Sequence, residues 1–390
     1  MKEITMLDLK AEYEYMKPDI DGALQKCLGH QKWIFGPEIA AFEGALAGYL
    51  NVSDCIAVSS GTEALVLSLR AYAIQLKGEE YFNKDDEIIT TPFTFTATGD
   101  AIIRSGATPV FVDIDPVTYN IDVNRIRDYL HSPHGSGRVA GIIPVHLYGR
   151  AADMDEVTGI AEEHGAFVVE DVAQAFGATW KARKLGSLGN TGAFSFFPSK
   201  NLGSFGDAGM VATNSNETAE LVRMLIKHGG RDKYNVDHVG YNGRMDTLQA
   251  AILLAKFRYI DEFNARRQEI AAFYTQKLSD ISGLILPVAA DDPFLSPAPP
   301  TRHVFHQYTV RTKERDALQG YLKKQGVSAM VYYPTPLHKM KVFEGRMKQF
   351  GNLSISEKAA KEVLSLPIGP LQREEDSALV VECIRRFFVG

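Results

Sequence analysis

The stretch from residue 189 to 211, GNTGAFSFFPSKNLGSFGDAGMV, sets one lysine, Lys200, between an apolar strand pattern that carries Ser195 and a glycine-rich turn. The residues AFSFF ahead of it predict burial for a side chain that proteins ordinarily leave in solvent. Beside another cation, a buried amine has a depressed pKa and is neutral and nucleophilic near neutral pH. Upstream, AFVVED closes on the acid pair Glu170 and Asp171 and is followed by VAQAFG. An acid projecting from the carboxyl end of a strand stands where open α/β sheets place their ligands.

Working outward, further apolar runs at 54–59, 87–90, 108–115 and 141–145 end in small or acidic residues and are followed by helical pattern, as 166–171 is. This alternation predicts an α/β fold with a mostly parallel central sheet covered by helices, built from right-handed βαβ units. GTEALVLSLRAYAIQL and DEVTGIAEEHG read as two of those helices. From 247 to 278 the pattern is one long helical stretch, followed by the proline-rich DDPFLSPAPPTRH and the strand-like VFHQYTVRT. A chain of 390 residues exceeds one ordinary core. We therefore expect a large domain over 1–250, including the N-terminal segment, and a smaller α+β domain over 251–390.

A net charge of −6 offers no nucleic-acid surface. Cys27, Cys55 and Cys383 lack CxxC spacing, which excludes a disulfide framework or zinc knuckle and suits a reducing cytoplasm. No apolar run has the length of a signal peptide or a membrane span, so neither membrane nor nucleic acid is an expected partner. The ten histidines show no paired ligand spacing, and His131-Ser-Pro-His134 reads as loop, so no metal is expected. GxSxG and GxxxxGK[ST] are absent.

The residues around Lys200 match what a carbonyl cofactor requires: an amine to hold it as a Schiff base, an anion to keep its ring nitrogen protonated, and donors for its phosphate. That cofactor is pyridoxal 5′-phosphate. Lys200 supplies the amine and Asp171 the anion. Gln174 lies within one turn of Asp171, where its amide reaches the phenolic oxygen. Gly61 and Thr62, in SSGTEAL, give donors at a helix N-terminus. Ser195 adds a second hydroxyl, and Phe95, in TPFTFTATGDA, is a candidate to stack on the ring. Each has an ordinary structural explanation taken singly; their combination favours the cofactor.

SSGTEAL, TPFTFTAT, PVFVDIDPVTYNID, PVHLYGRAADMD, EDVAQAFGA, SFFPSKNLG, GDAG, GYNGRMDTLQAAIL and YYPTPLH, in that order, resemble the DegT/StrS-like sugar-nucleotide aminotransferases. The resemblance implies a fold-type-I pyridoxal phosphate transferase. Such an enzyme moves an amino group from L-glutamate to a nucleoside-diphosphate-linked keto sugar, for amino-sugar and surface-polysaccharide biosynthesis. It implies the same roles for Lys200, Asp171, Gln174, Phe95, Gly61, Thr62 and Ser195. Asn242 resembles a residue lent to the neighbouring subunit's phosphate, which implies a homodimer with a shared active site.

Gly206-Asp207-Ala208-Gly209 resembles the GDGG of carbon-3 enzymes more than the GEGG of carbon-4 enzymes, with Ala208 where the pattern has glycine. The implied substrate is a UDP-3-keto-hexuronate or a dTDP-3-keto-6-deoxyhexose. Arg244 matches a position that faces a uronate carboxylate, and Tyr332 stands where that subgroup has histidine. Tyr333 and His338 match sugar or diphosphate contacts. The alternatives are a carbon-4 aminotransferase and a non-catalytic cofactor- or sugar-nucleotide-binding regulator. Lys200 argues against a dehydratase relative, in which histidine replaces the lysine.

Overall fold

The computed structural model describes residues 3–133, 138–232, 234–287 and 301–389. His134 and residues 291–300 of the proline-rich stretch lie outside them. Twelve strands are described: β1 (Asp54–Val58), β2 (Asp86–Thr90), β3 (Thr108–Phe111), β4 (Arg138–Ile142), β5 (Phe167–Asp171), β6 (Thr179–Trp180), β7 (Arg183–Lys184), β8 (Thr191–Ser195), β9 (Gly209–Thr213), β10 (Tyr308–Arg311), β11 (Lys348–Gln349) and β12 (Val363–Leu366). Eight of them form one sheet in the order β1-β9-β8-β5-β4-β2-β3-β11. Only β9 runs against its neighbours.

The strands alternate as a sheet covered on both faces must. Cys55, Ala57, Ile89, Ile142, Val168, Phe194 and Met210 enter one core, while Ile56, Val58, Ile88, Ala140, Val169, Ala193 and Val211 enter the other. The helices are α1 (Leu9–His30), α2 (Pro37–Leu50), α3 (Gly61–Lys77), α4 (Thr96–Arg104), α5 (Val123–Leu130), α6 (Met154–Glu163), α7 (Asn216–Leu225), α8 (Thr247–Phe257), α9 (Ile260–Leu278), α10 (Arg315–Lys324), α11 (Ser354–Glu362) and α12 (Glu374–Val389). The first core takes residues from α2, α5, α6 and α8, and the second from α3, α4 and α7.

Two local readings of the sequence are corrected. The run at 141–145 pairs earlier, over Arg138–Ile142, and Val145 instead bridges to Asp171 as the chain leaves the ladder. The single long helix over 247–278 is two, α8 and α9. They part at Arg258 and Tyr259, both of which bond Asp19 of α1, with Arg258 Nη1 at 2.6 Å. The core changes along α9: Ile260 packs in the large core, whereas Ala271, Tyr274 and Leu278 pack with β10, β12, α10 and α12. The C-terminal chain also returns to the large sheet, where β11 adds to β3 and Leu337, Phe343 and Leu353 pack on Phe111. Among the described residues no helix is long and apolar enough to cross a membrane.

A buried polar knot fixes the carboxyl end of β5. The Glu170 carboxylate accepts from the backbone N–H groups of Gly186, Leu188 and Gly189 at 2.7–2.8 Å. It also lies 3.0 Å from His146 Nε2. Because His146 Nδ1 accepts from the Ala152 N–H at 3.1 Å, Nε2 is the protonated nitrogen and donates to Glu170. Glu170→Ala would orphan four donors, those of Gly186 and His146 buried and those of Leu188 and Gly189 part-buried. It is expected to lower unfolding stability by roughly 3 kcal/mol or more, read as a reduced urea midpoint.

Candidate active site

The carboxyl ends of β5 and β8 and the N-terminus of α3 converge on a cavity of about 500 Å³, a size that suits a small-molecule ligand. Parallel pairing sets Asp171 opposite Ala193, and β8 ends two residues later at Ser195. The chain then turns over Phe197, whose carbonyl accepts from the Lys200 N–H at 2.8 Å, and this brings the Lys200 side chain back to the same wall.

Removal of water dominates the electrostatics. Burial drives the Lys200 amine down from 10.5 to about 8, although the Asp171 carboxylate opposes that shift. Burial likewise raises Asp171, against the Thr98 hydroxyl, the Ala173 N–H, Lys200 and His146. Thr98 Oγ1 donates to one Asp171 oxygen at 2.8 Å and Ala173 N to the other at 3.1 Å. The amide of Gln174 has a fixed orientation: its Oε1 accepts from Tyr148 N at 3.0 Å, which turns Nε2 toward the Tyr333 hydroxyl at 2.9 Å.

The α3 end of the cavity is built by close approach. Ser60 caps the helix, its hydroxyl accepting from Glu63 N at 3.1 Å. A Cβ on Gly61 would come within 2.5 Å of Ser195 Cβ, and one on Gly209 within 2.3 Å of the Ser60 carbonyl. Glycine at these two places lets the helix N-terminus, with its unpaired N–H groups, reach the strand ends.

Nine of the residues singled out in the sequence line this cavity: Lys200, Asp171, Gln174, Phe95, Gly61, Thr62, Ser195, Tyr332 and Tyr333. Phe95 is 56% exposed, with its ring tilted 40° to that of Tyr333. Three lie elsewhere. Asn242 is exposed, its backbone bridging Lys227. Arg244 is half-buried beside Val58, and its Nε has no hydrogen-bond partner. His338 is buried, with Nε2 on Glu357 at 3.2 Å. Asp207 and Ala208 also line the cavity, and Ala208 does not adopt a left-handed backbone, so its methyl is accommodated without strain.

Sequence reasoning passed over Thr98, Tyr148, Asn201 and His306. Thr98 stands three residues past Phe95, in the first turn of α4, and nothing in that local pattern points to Asp171. Among the described residues one cluster has metal-type side chains: Cys27, His30 and Glu38. There His30 Nδ1 accepts from Lys32 N and Nε2 pairs with Glu38, both at 3.0 Å, so both ring nitrogens are already engaged.

A family model described as the DegT/DnrJ/EryC1/StrS aminotransferase family matches residues 14–385. The chain belongs to that family. It is 42% identical over 99% of its length to a Geobacillus stearothermophilus protein named pleiotropic regulatory protein, covering 98% of that relative. It is 37% identical to the dTDP-3-amino-3,4,6-trideoxy-alpha-D-glucose transaminase of Streptomyces venezuelae, over 98% of this chain and 96% of the relative. The crystal structure of S. venezuelae DesV in complex with a ketimine intermediate superposes with a TM-score of 0.91 at 36% identity, covering 100% of both chains. The expected family and α/β fold are thereby borne out.

Burial of Lys200 has a measurable consequence for stability. Its folded-state pKa lies below the unfolded value, so between about 8 and 10.5 the unfolded chain binds more protons and stability rises with pH. Lys200→Met is expected to raise the urea midpoint of the cofactor-free protein at neutral pH. The gain should shrink above about pH 8 and vanish near 10.5.

Proposed function

We propose that the protein is a pyridoxal 5′-phosphate aminotransferase. It takes the amino group of L-glutamate and places it on carbon 3 of a UDP- or dTDP-linked keto sugar, in the cytoplasm, for amino-sugar and surface-polysaccharide biosynthesis. The observation that carries the reading is a buried lysine amine, its pKa lowered to about 8, lining one cavity with a buried aspartate.

The residues present fit this cofactor. Asp171 is a buried acid without a full countercharge, which suits a cationic ring nitrogen. The N–H groups at the start of α3, with Thr62 and Ser195, suit a phosphate. When bound, the cofactor supplies the carbonyl that joins to amines and the ring that takes up the electron pair released as an α-proton leaves.

Lys200, neutral for a substantial fraction of the time near pH 8, accepts that proton at Nζ and later returns it. Asp171 would hold the ring nitrogen, its two oxygens accepting from Thr98 Oγ1 and the Ala173 N–H. Gln174 directs Nε2 into the site because Tyr148 holds its carbonyl oxygen. Phe95 offers an open ring face for stacking.

Further features support the finer parts of the proposal. Asn242 is exposed and outside its own cavity, as a residue serving a partner subunit would be, and this favours a homodimer with shared sites. The unpartnered Arg244 Nε favours an anionic group nearby. Asp207 on the cavity wall, together with the 3-amino-sugar transaminase among the relatives, favours carbon 3. The three free, buried cysteines suit a reducing compartment.

A regulatory role is a second reading, favoured by the relative named pleiotropic regulatory protein. Turnover separates the two. Purified protein is expected to be yellow, to bleach with L-glutamate, and to recover its colour with a 3-keto nucleotide sugar but not with its 4-keto isomer. Bleaching without recovery across UDP- and dTDP-linked keto sugars would favour the regulator. Lys200→Ala is expected to reduce transamination by roughly 10²–10⁴-fold. Asp171→Asn is expected to weaken cofactor retention, followed by absorbance after dialysis.

A further inference from the structure

The segment leading into β10 brings to the cavity a histidine that the roles above do not use. His306 lines the cavity together with Lys200 and is buried. Its tautomer is fixed by a chain of amides anchored at backbone carbonyls. Asn264 Nδ2 donates to the Phe176 carbonyl at 3.1 Å, so Asn264 Oδ1 must accept. Asn201 Nδ2 donates to that oxygen at 2.7 Å and to the Val304 carbonyl at 3.1 Å. Asn201 Oδ1 is then the only atom left for His306 Nδ1, 3.1 Å away, and it can only accept.

The ring proton therefore resides on Nδ1. Nε2 is a bare lone pair with no protein partner among the described residues. Asn201 is also the residue that follows Lys200, so the chain of amides ties the histidine to the lysine's own backbone. The charged groups facing the ring are both cations, Lys200 and Arg267, and together with burial they oppose a second ring proton.

We propose that His306 is a positioning residue for Lys200, its Nε2 accepting a hydrogen bond from the lysine ammonium whenever Lys200 holds the proton in transfer. That proton would come from the substrate C–H bond, whose electron pair the bound cofactor would take up, and it rests on Nζ. One Nζ–H then points at Nε2 without leaving nitrogen. An imidazole that resists protonation steadies the ammonium yet does not drain its proton, which remains available for return to the substrate. The identity of that proton rests on the aminotransferase reading; the tautomer and the acceptor role do not.

Two measurements on the full-length chain, freed of cofactor by dialysis against hydroxylamine, test this without turnover. By ¹⁵N-histidine NMR, His306 is expected to stay neutral in the Nδ1–H tautomer from about pH 6 to about pH 9. The opposite tautomer, or titration near the ordinary histidine value, overturns the proposal. Competitive acetic anhydride labelling, resolved by peptide mass spectrometry, gives the midpoint of Lys200, near pH 8 in the parent. His306→Asn keeps a group at the Nδ1 position but loses the acceptor, and should lower that midpoint by about one pH unit. His306→Gln, whose amide oxygen reaches the Nε2 position, should restore it. An unchanged midpoint in His306→Asn also overturns the proposal. A chain that passes both tests but accepts no keto sugar would count against the proposed substrate and leave the histidine's role intact.

Discussion

The amine of Lys200 and the carboxylate of Asp171 share one dry wall, and the loss of water moves each toward its neutral form: the acid up, the base down. Their mutual attraction only partly reverses this. What remains is a site with an unmet demand for positive charge at the acid and a nucleophilic nitrogen beside it. A protonated pyridine ring bearing a carbonyl answers both demands. The surrounding architecture holds these two side chains in place: parallel pairing of β5 with β8, the Glu170–His146 knot behind Asp171, and the Thr98 hydroxyl in front of it.

The anion-binding end of the cavity follows from backbone packing. Because Ser195 and Gly209 are register partners and Val58 pairs Gly209, the ends of β1 and β8 and the start of β9 meet at one point, and α3 starts there. A side chain at Gly61 or Gly209 would push the helix off the strands. Ala208, next to this junction, needs no such allowance, so the departure from glycine at that position changes the cavity lining and not the turn.

Residues at strand ends were legible because their signal is local. An apolar run that stops on an acid, or on a serine followed five residues later by a lysine, states its own position, and Asp171, Gln174, Ser195 and Lys200, named that way, all line the one cavity. Thr98, Tyr148 and His306 were not, because their meaning lies in partners far along the chain: Thr98 acquires a role only from Asp171, 73 residues away. The break between α8 and α9 is of the same kind. Helical periodicity runs through 258–259 without interruption, and the stop comes from Asp19 on another helix. The early start of β4 reflects pairing with β2, which an apolar run alone does not report.

The C-terminal chain supplies His306, Gln307, Tyr332 and Tyr333 to the cavity wall, and its contacts run through the residues singled out there. The Tyr148 hydroxyl bonds the Tyr332 carbonyl while the Tyr148 N–H holds Gln174, so one residue fixes both the cavity wall and the amide aimed across it. Gly149, left-handed at φ 100°, lets the 304–306 backbone approach to a distance that a Cβ would close to 2.9–3.0 Å. That approach brings His306 to Asn201. A shift of the 304–333 segment would therefore loosen Gln174, Tyr333 and His306 together. The geometry around Lys200 and the placement of the 304–333 segment against Tyr148 and Gly149 are, on this argument, a single mechanical property of the chain.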